Sequence, residues 1–138
     1  MIDYNFDYEI TEEFQYIIKD DLCDGLFNNF ASVDAEIFKV SGDIFVKLLE
    51  KLRVKLKSEI SVFISDIFIK IIESNTSSYN QKLYSLKILS HLLSNPKFVI
   101  EFFINYDCDI DYTNILERSL KVLIKFSLLN FNTHEFVN

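Results

Sequence analysis

The chain has 138 residues, enough for one domain that buries roughly two thirds of its chain surface, and 49% of them are hydrophobic, which excludes a disordered segment. Two glycines and one proline leave almost no turn chemistry, which argues against sandwiches, barrels and glycine-rich phosphate loops. The net charge of −7 is carried by residues 1–24, where eight acids face one base; residues 25–138 hold 13 of each, so a general nucleic-acid surface is not expected.

These limits leave an all-α domain, although its helices are filled with 18 Ile and 14 Phe against two Ala. Propensity alone leans towards strand, so periodicity has to decide. Residues 1–10 read as a flexible start or an artificial boundary, residues 11–129 as the helical domain and 130–138 as a frayed tail. A first helix is expected from Thr11, its cap, to about Asn29, with Phe14, Ile17, Ile18, Leu22 and Phe27 along it. A second runs from about Asp34 to Arg53, with Gly42 inside it at some cost.

The third, about Ser58 to Ser74, has the clearest spacing. Ile60, Phe63, Ile64, Ile67, Phe68 and Ile71 form one stripe, and Val62, Ile69 and Ile72 a second. That leaves Glu59, Ser65, Asp66, Lys70 and Glu73 for water and packs the helix between layers. A fourth helix is expected from about Tyr79 to Ser94, carrying five leucines. The fifth, Lys97 to Asn105, follows a cap at Ser94 or Asn95 with Pro96 at the first position. It is apolar on every side except for Glu101, so neighbours are expected to cover it all round. The sixth runs from Asn114 to about Leu129, with Glu117 and Lys121 spaced for an i,i+4 pair. Six antiparallel helices on short loops, several apolar on two sides, suggest a slice of an armadillo- or HEAT-like α-solenoid. Uncovered apolar ends, Phe14, Ile17 and Ile18 or Val122 and Phe126, give an expectation of self-association.

Chemistry is sparse. Cys23 and Cys108 make no disulfide framework, and reduced cytosolic thiols are expected. The start lacks the charge pattern of a signal peptide, and no apolar run is long enough to span a membrane. His91, on a polar helix face, and His134, in the tail, have no ligand or catalytic partners at a known spacing, and no cofactor is implied. The basic run Lys47 to Lys57 reads as a solvated helix end, or else as a contact for anionic lipid or an acidic partner.

Asp107, Asp109 and Asp111 imitate the opening of a calcium loop. Tyr112 then stands where that loop needs Gly and Arg118 where it needs Glu, so no metal site is expected. Capping of the sixth helix by Asp111 or Thr113 is the plain reading, and it leaves Asp107 and Asp109 to find N–H donors, water or a base such as Arg118. Asn105 and Tyr106 are expected to pin the turn, and Cys108 to point inward as a small apolar plug.

The run Asn105-Tyr106-Asp107-Cys108-Asp109, followed by Asn114-Ile115-Leu116-Glu117-Arg118, resembles the HUS box of the large BIG/GBF-class Arf guanine-nucleotide exchange factors. The upstream stretch from Ser58 to Lys82 is similar too. The resemblance is specific over about residues 43–126, weak over 11–42 and absent from the acidic start. It implies a non-catalytic regulatory segment, homologous to the region upstream of the catalytic domain. The box residues 105–109 would then serve interdomain contact, supported by Asn114, Glu117 and Arg118. Implied partners are the upstream dimerisation domain and Arf or Arl GTPases, without nucleic acid. Implied location is cytosolic, with peripheral Golgi membrane association through the full-length protein. The resemblance implies no exchange activity here, since nothing like the catalytic L-P-G-E stretch occurs. The alternative is a free-standing helical-repeat adaptor unconnected to GTPases.

Overall fold

The computed structural model describes residues 12–134, with side chains to residue 128; residues 1–10, the expected Thr11 cap and residues 135–138 lie outside the described residues. Among the described residues there are six continuous helices and no strand: α1 (12–30), α2 (Ala35–Leu52), α3 (57–73), α4 (Tyr79–Leu93), α5 (96–107) and α6 (Ile115–His134). Each expected helix is present. The sixth runs five residues beyond its expected end at Leu129.

Local chemistry sets most boundaries. Asp34 accepts from the N–H groups of Glu36 and Ile37 at 2.8 and 3.4 Å, starting α2. Ser78 and Gln81 form a reciprocal capping box at the start of α4, and the Gln81 amide also reaches the Ser32 carbonyl, tying down the α1–α2 loop. Asn95 caps α5, with Pro96 in its first turn. No described residue has positive φ, so neither glycine serves a turn. Gly42 instead lets α2 and α4 approach: a Cβ there would stand 2.7 Å from Ile88 Cδ1.

Three helices contain a π-helical section, at Ile17–Leu22, Phe63–Ile69 and Phe103–Asp107. Buried residues recur around two of these sections in four-residue steps: Ile60, Ile64, Phe68 and Ile72 in α3, and Phe98, Phe102 and Tyr106 in α5. Steps of four outrun a helix of about 3.6 residues per turn, and a wider turn takes up the drift.

Sequential helices pack in pairs, α1 on α2, α3 on α4 and α5 on α6, and α4 also meets α2, α5 and α6. The arrangement is consistent with a helical solenoid fragment. Its centre is aromatic. Phe27 stacks on Phe63 at 4.2 Å, and Phe30 sets its edge against Phe38, Phe63 and Phe68. Both stripes of α3 are used except at Val62, which is exposed. Ser65 is buried where water was expected, because it meets the loop that precedes α6.

One expectation about cover fails and a second holds in part. Helix α5 is buried on one face only, through Phe98, Phe102 and Tyr106, while Ile100, Phe103 and Ile104 are each more than half exposed. Periodicity could not show this, since both faces are apolar. At the ends, Phe14 and Ile17 are exposed as expected, whereas Ile18 and Val122 are core residues and Phe126 is partly buried; Tyr16 and Leu22 on α1 and Leu120, Ile124 and Leu128 on α6 are exposed as well.

Candidate functional site

The box occupies the last turn of α5 and the loop to α6. The N–H of Cys108 donates to the Phe103 carbonyl at 2.9 Å, closing the π-helical turn, and the N–H of Asp109 reaches the Tyr106 carbonyl at 3.1 Å. Five neighbouring residues then take five different environments.

Tyr106 is buried, edge-on to Phe102 and to Tyr112, and its hydroxyl donates to the backbone carbonyl of Lys57 at 3.1 Å. Burial pushes its phenol well above the ordinary tyrosine range, with Tyr112 and Glu59 adding to it. Asn105 is exposed and makes no side-chain hydrogen bond among the described residues, so of the two residues expected to pin the turn only Tyr106 does so. Cys108 is exposed, contrary to the expectation of an inward plug; Cys23 is the buried thiol.

The three alternate acids diverge. Asp107 accepts the N–H of Leu116 at 3.0 Å and that of Glu117 at 2.9 Å, one on each carboxylate oxygen. It therefore caps α6 from nine residues upstream, satisfying two free N–H groups at the positive end of the helix dipole. Neither Asp111 nor Thr113 takes that part. Asp111 is exposed, and the Thr113 hydroxyl pairs with that of buried Ser65 at 2.9 Å.

Asp109 takes Lys57 Nζ on one oxygen at 2.8 Å and the N–H of Asp111 on the other at 3.0 Å. The Lys57 ammonium, then the backbone N–H, hold its carboxyl below the ordinary aspartate range. The base is Lys57 and not Arg118, which is half-buried and makes no ion pair among the described residues. Asn114 donates to Glu117 at 3.1 Å, and Lys121 pairs with the same carboxylate at 2.5 Å; Lys121 first, then Asn114, lowers the Glu117 pKa.

The expected solvated basic run thus supplies the counterpart of the box. Lys57 holds Asp109, and its Nζ stands 4.3 Å from the centre of the Tyr112 ring. One turn earlier, Arg53 grips Glu101 with two guanidinium nitrogens, the second at 3.2 Å, lies over Phe98, and donates to the Glu50 carbonyl at 3.0 Å. Ser58 and Tyr112 pair through their hydroxyls at 3.1 Å. Motif spacing does not reveal Arg53, Lys57, Ser58, Ser65 or Tyr112 as members of the site. One clue is present in the sequence, since Glu101 is the lone charge in the apolar run and needs a partner.

His91 is exposed on α4, 4.0 Å from Glu50; the side chain of His134 lies outside the described residues. No group of three His, Cys, Asp or Glu side chains among the described residues could hold a metal ion, and no helix among them is long and apolar enough to cross a membrane.

A family model described as Mon2/Sec7/BIG1-like, HUS domain matches residues 6–115. The match takes in 11–42 and part of the acidic start, upstream of where the motifs are recognisable. Brefeldin A-inhibited guanine nucleotide-exchange protein 4 of Arabidopsis thaliana is 37% identical over 122 residues, covering 88% of this chain and 7% of that protein. Brefeldin A-inhibited guanine nucleotide-exchange protein 1 of Homo sapiens is 35% identical over 120 residues, 87% of this chain and 6% of its own. The ADP-ribosylation factor guanine nucleotide-exchange factor sec72 of Schizosaccharomyces pombe is 37% identical over 100 residues, 72% of this chain and 6% of its own. The chain thus spans only 6–7% of the length of these relatives.

Proposed function

We propose, from the premise that this chain belongs to the Mon2/Sec7/BIG1-like HUS-domain family, that it is a regulatory and scaffolding segment of a large Arf guanine-nucleotide exchange factor. The HUS domain is the non-catalytic region of such factors. In this reading the helical domain docks onto the upstream dimerisation domain of the same polypeptide. The docked unit contributes to recruiting the full-length protein to Golgi membranes from the cytosol, where Arf or Arl GTPases are engaged. Asn105 to Asp109 serve the interdomain contact, and Asn114, Glu117 and Arg118 support it.

The observation that carries the reading is the placement of the two box acids. Asp107 is bonded to the start of α6 and Asp109 to the start of α3, so the box fixes the angle at which α5 leaves the core. Beside it, Ile100, Phe103 and Ile104 are uncovered. The box is therefore an architectural element next to a docking face, and not a free acidic patch.

Asp107→Asn and Asp109→Asn, made separately, test this by melting temperature and by binding to the upstream dimerisation domain. Both quantities are expected to fall together. Lost binding with unchanged melting in both variants would overturn the architectural role in favour of direct contact by the acids. In a fluorescence exchange assay the chain is expected to leave nucleotide release from an Arf GTPase at its spontaneous rate.

A further inference from the structure

We infer that Lys57, outside the box in sequence, is the positioning residue that latches the box loop onto α3. The inference rests on the architectural reading of the box given above and names the residue through which it works. Four contacts converge on this one residue. Its carbonyl takes the Tyr106 hydroxyl at 3.1 Å, and its Nζ binds Asp109 at 2.8 Å. The same Nζ lies 4.3 Å from the Tyr112 ring centre and 5.8 Å from that of Tyr106. A cation between a carboxylate and two aromatic faces is held from three sides.

The geometry favours a latch over a decorative ion pair. The loop between α5 and α6 lies along α3 through three side-chain contacts: Lys57 to Asp109, Ser58 to Tyr112 and Ser65 to Thr113. Two are neutral hydroxyl pairs, one of them exposed. The Lys57 contact alone is ionic, and its carboxylate also shapes the turn by accepting the N–H of Asp111 at 3.0 Å. Releasing Lys57 therefore leaves the loop held on α3 by the two hydroxyl pairs alone and takes the cation off the Tyr112 ring, while the Asp107 cap on α6 stays made. The loop can open while the helices remain folded.

Lys57→Gln, Lys57→Arg, Asp109→Asn and the Lys57→Gln/Asp109→Asn double variant of this chain test the latch. The readout is amide hydrogen exchange of residues 109–114 alongside global melting. Lys57→Gln is expected to speed exchange in the loop about 3- to 30-fold, the combined scale of a partly exposed ion pair and a cation–π contact. Lys57→Arg keeps the charge and the aromatic stacking and should retain protection. The double variant should open the loop no further than Lys57→Gln alone, because that change already removes the ion pair that Asp109→Asn breaks. Unchanged loop exchange in Lys57→Gln, or equal opening in Lys57→Arg, overturns the latch. Binding of the same variants to the upstream dimerisation domain separates the two ideas. Faster exchange with undiminished binding leaves the latch standing and removes the docking role; faster exchange with weakened binding, restored in Lys57→Arg, supports both.

Discussion

Removing the Asp107 carboxylate is the most direct challenge to the site as described. Its two oxygens serve the N–H groups of Leu116 and Glu117 at 3.0 and 2.9 Å, the positions an N-cap side chain normally serves. An N-cap lost to alanine costs about 1 kcal/mol, within a range of roughly 0.5–2. A negative charge at a helix N-terminus adds about 0.3–1 kcal/mol, reduced here because Asp109 and Glu117 are also acidic. Asp107→Ala is therefore expected to destabilise by about 1–2 kcal/mol, and Asp107→Asn, which keeps one acceptor oxygen, by about half that. For a domain of this size a loss of about 1 kcal/mol moves the midpoint by about 3–5 °C, so Asp107→Ala should melt roughly 3–10 °C early. Circular dichroism melts and urea titrations with unchanged slope would measure it. Asp111→Ala is the control: its exposed side chain caps nothing, and less than about 0.5 kcal/mol is expected. If Asp111→Ala costs more than Asp107→Ala, the cap has been assigned to the wrong residue.

Other expectations follow from single features. Gly25 sits inside a helix, and a Cβ added there would meet nothing within 4 Å, so Gly25→Ala should stabilise by about 0.5–1 kcal/mol, read as a later urea midpoint. One thiol, Cys108, should react with a maleimide in the folded chain and two in denaturant; Cys23 is buried, and burial, with Glu59 second, pushes its thiol up to about 11. Because the pKa of Asp109 is lowered on folding, its contribution is whole above the ordinary aspartate value of 3.8 and is lost as pH falls through the native value. Loop exchange corrected for intrinsic rates should thus stay flat from about pH 7 to 5 and rise in stronger acid, a rise absent in Asp109→Asn. Leu120, Ile124 and Leu128 form an exposed i, i+4, i+8 stripe on α6, so the chain should self-associate with rising concentration. Sedimentation velocity of Ile124→Glu should return a monomer.

What could be read from the sequence was local or periodic. All six helices follow from apolar spacing, and the Asn95–Pro96 and Asp34 starts follow from cap chemistry that spans about three residues. The box itself was legible as a motif. Its bonding was not, because the partners are remote: Lys57 lies 52 residues from Asp109, and Ser65 lies 48 from Thr113. That at least one of Asp107 and Asp109 would bond within the turn and the sixth helix was legible and holds, but that Asp107 takes the cap in place of Asp111 or Thr113 was not, for a related reason. Helix-start chemistry looks at the residue next to the first turn, whereas this carboxylate arrives from the end of the previous helix, past an intervening loop. The side taken by Cys108 was not legible either, because alternation in a turn does not fix which residue faces the core.

Helix α5 shows why the polar contacts matter more than their number suggests. Its two faces offer similar apolar side chains, Phe98, Phe102 and Tyr106 on one and Ile100, Phe103 and Ile104 on the other. Hydrophobic burial is non-directional and would stabilise either face against the core to a comparable degree. The choice falls to groups that cannot be buried without a partner. Glu101 must point where Arg53 can meet it, and the Tyr106 hydroxyl must find an acceptor, which the Lys57 carbonyl provides. Rotating α5 to bury Ile100 and Phe103 would break both contacts and carry Asp107 away from the start of α6. The bonds at 53–101, 57–106 and 107–116 thus select one rotation of a two-faced helix. Apolar area supplies the stability of that packing, and the three bonds decide which surface remains outside.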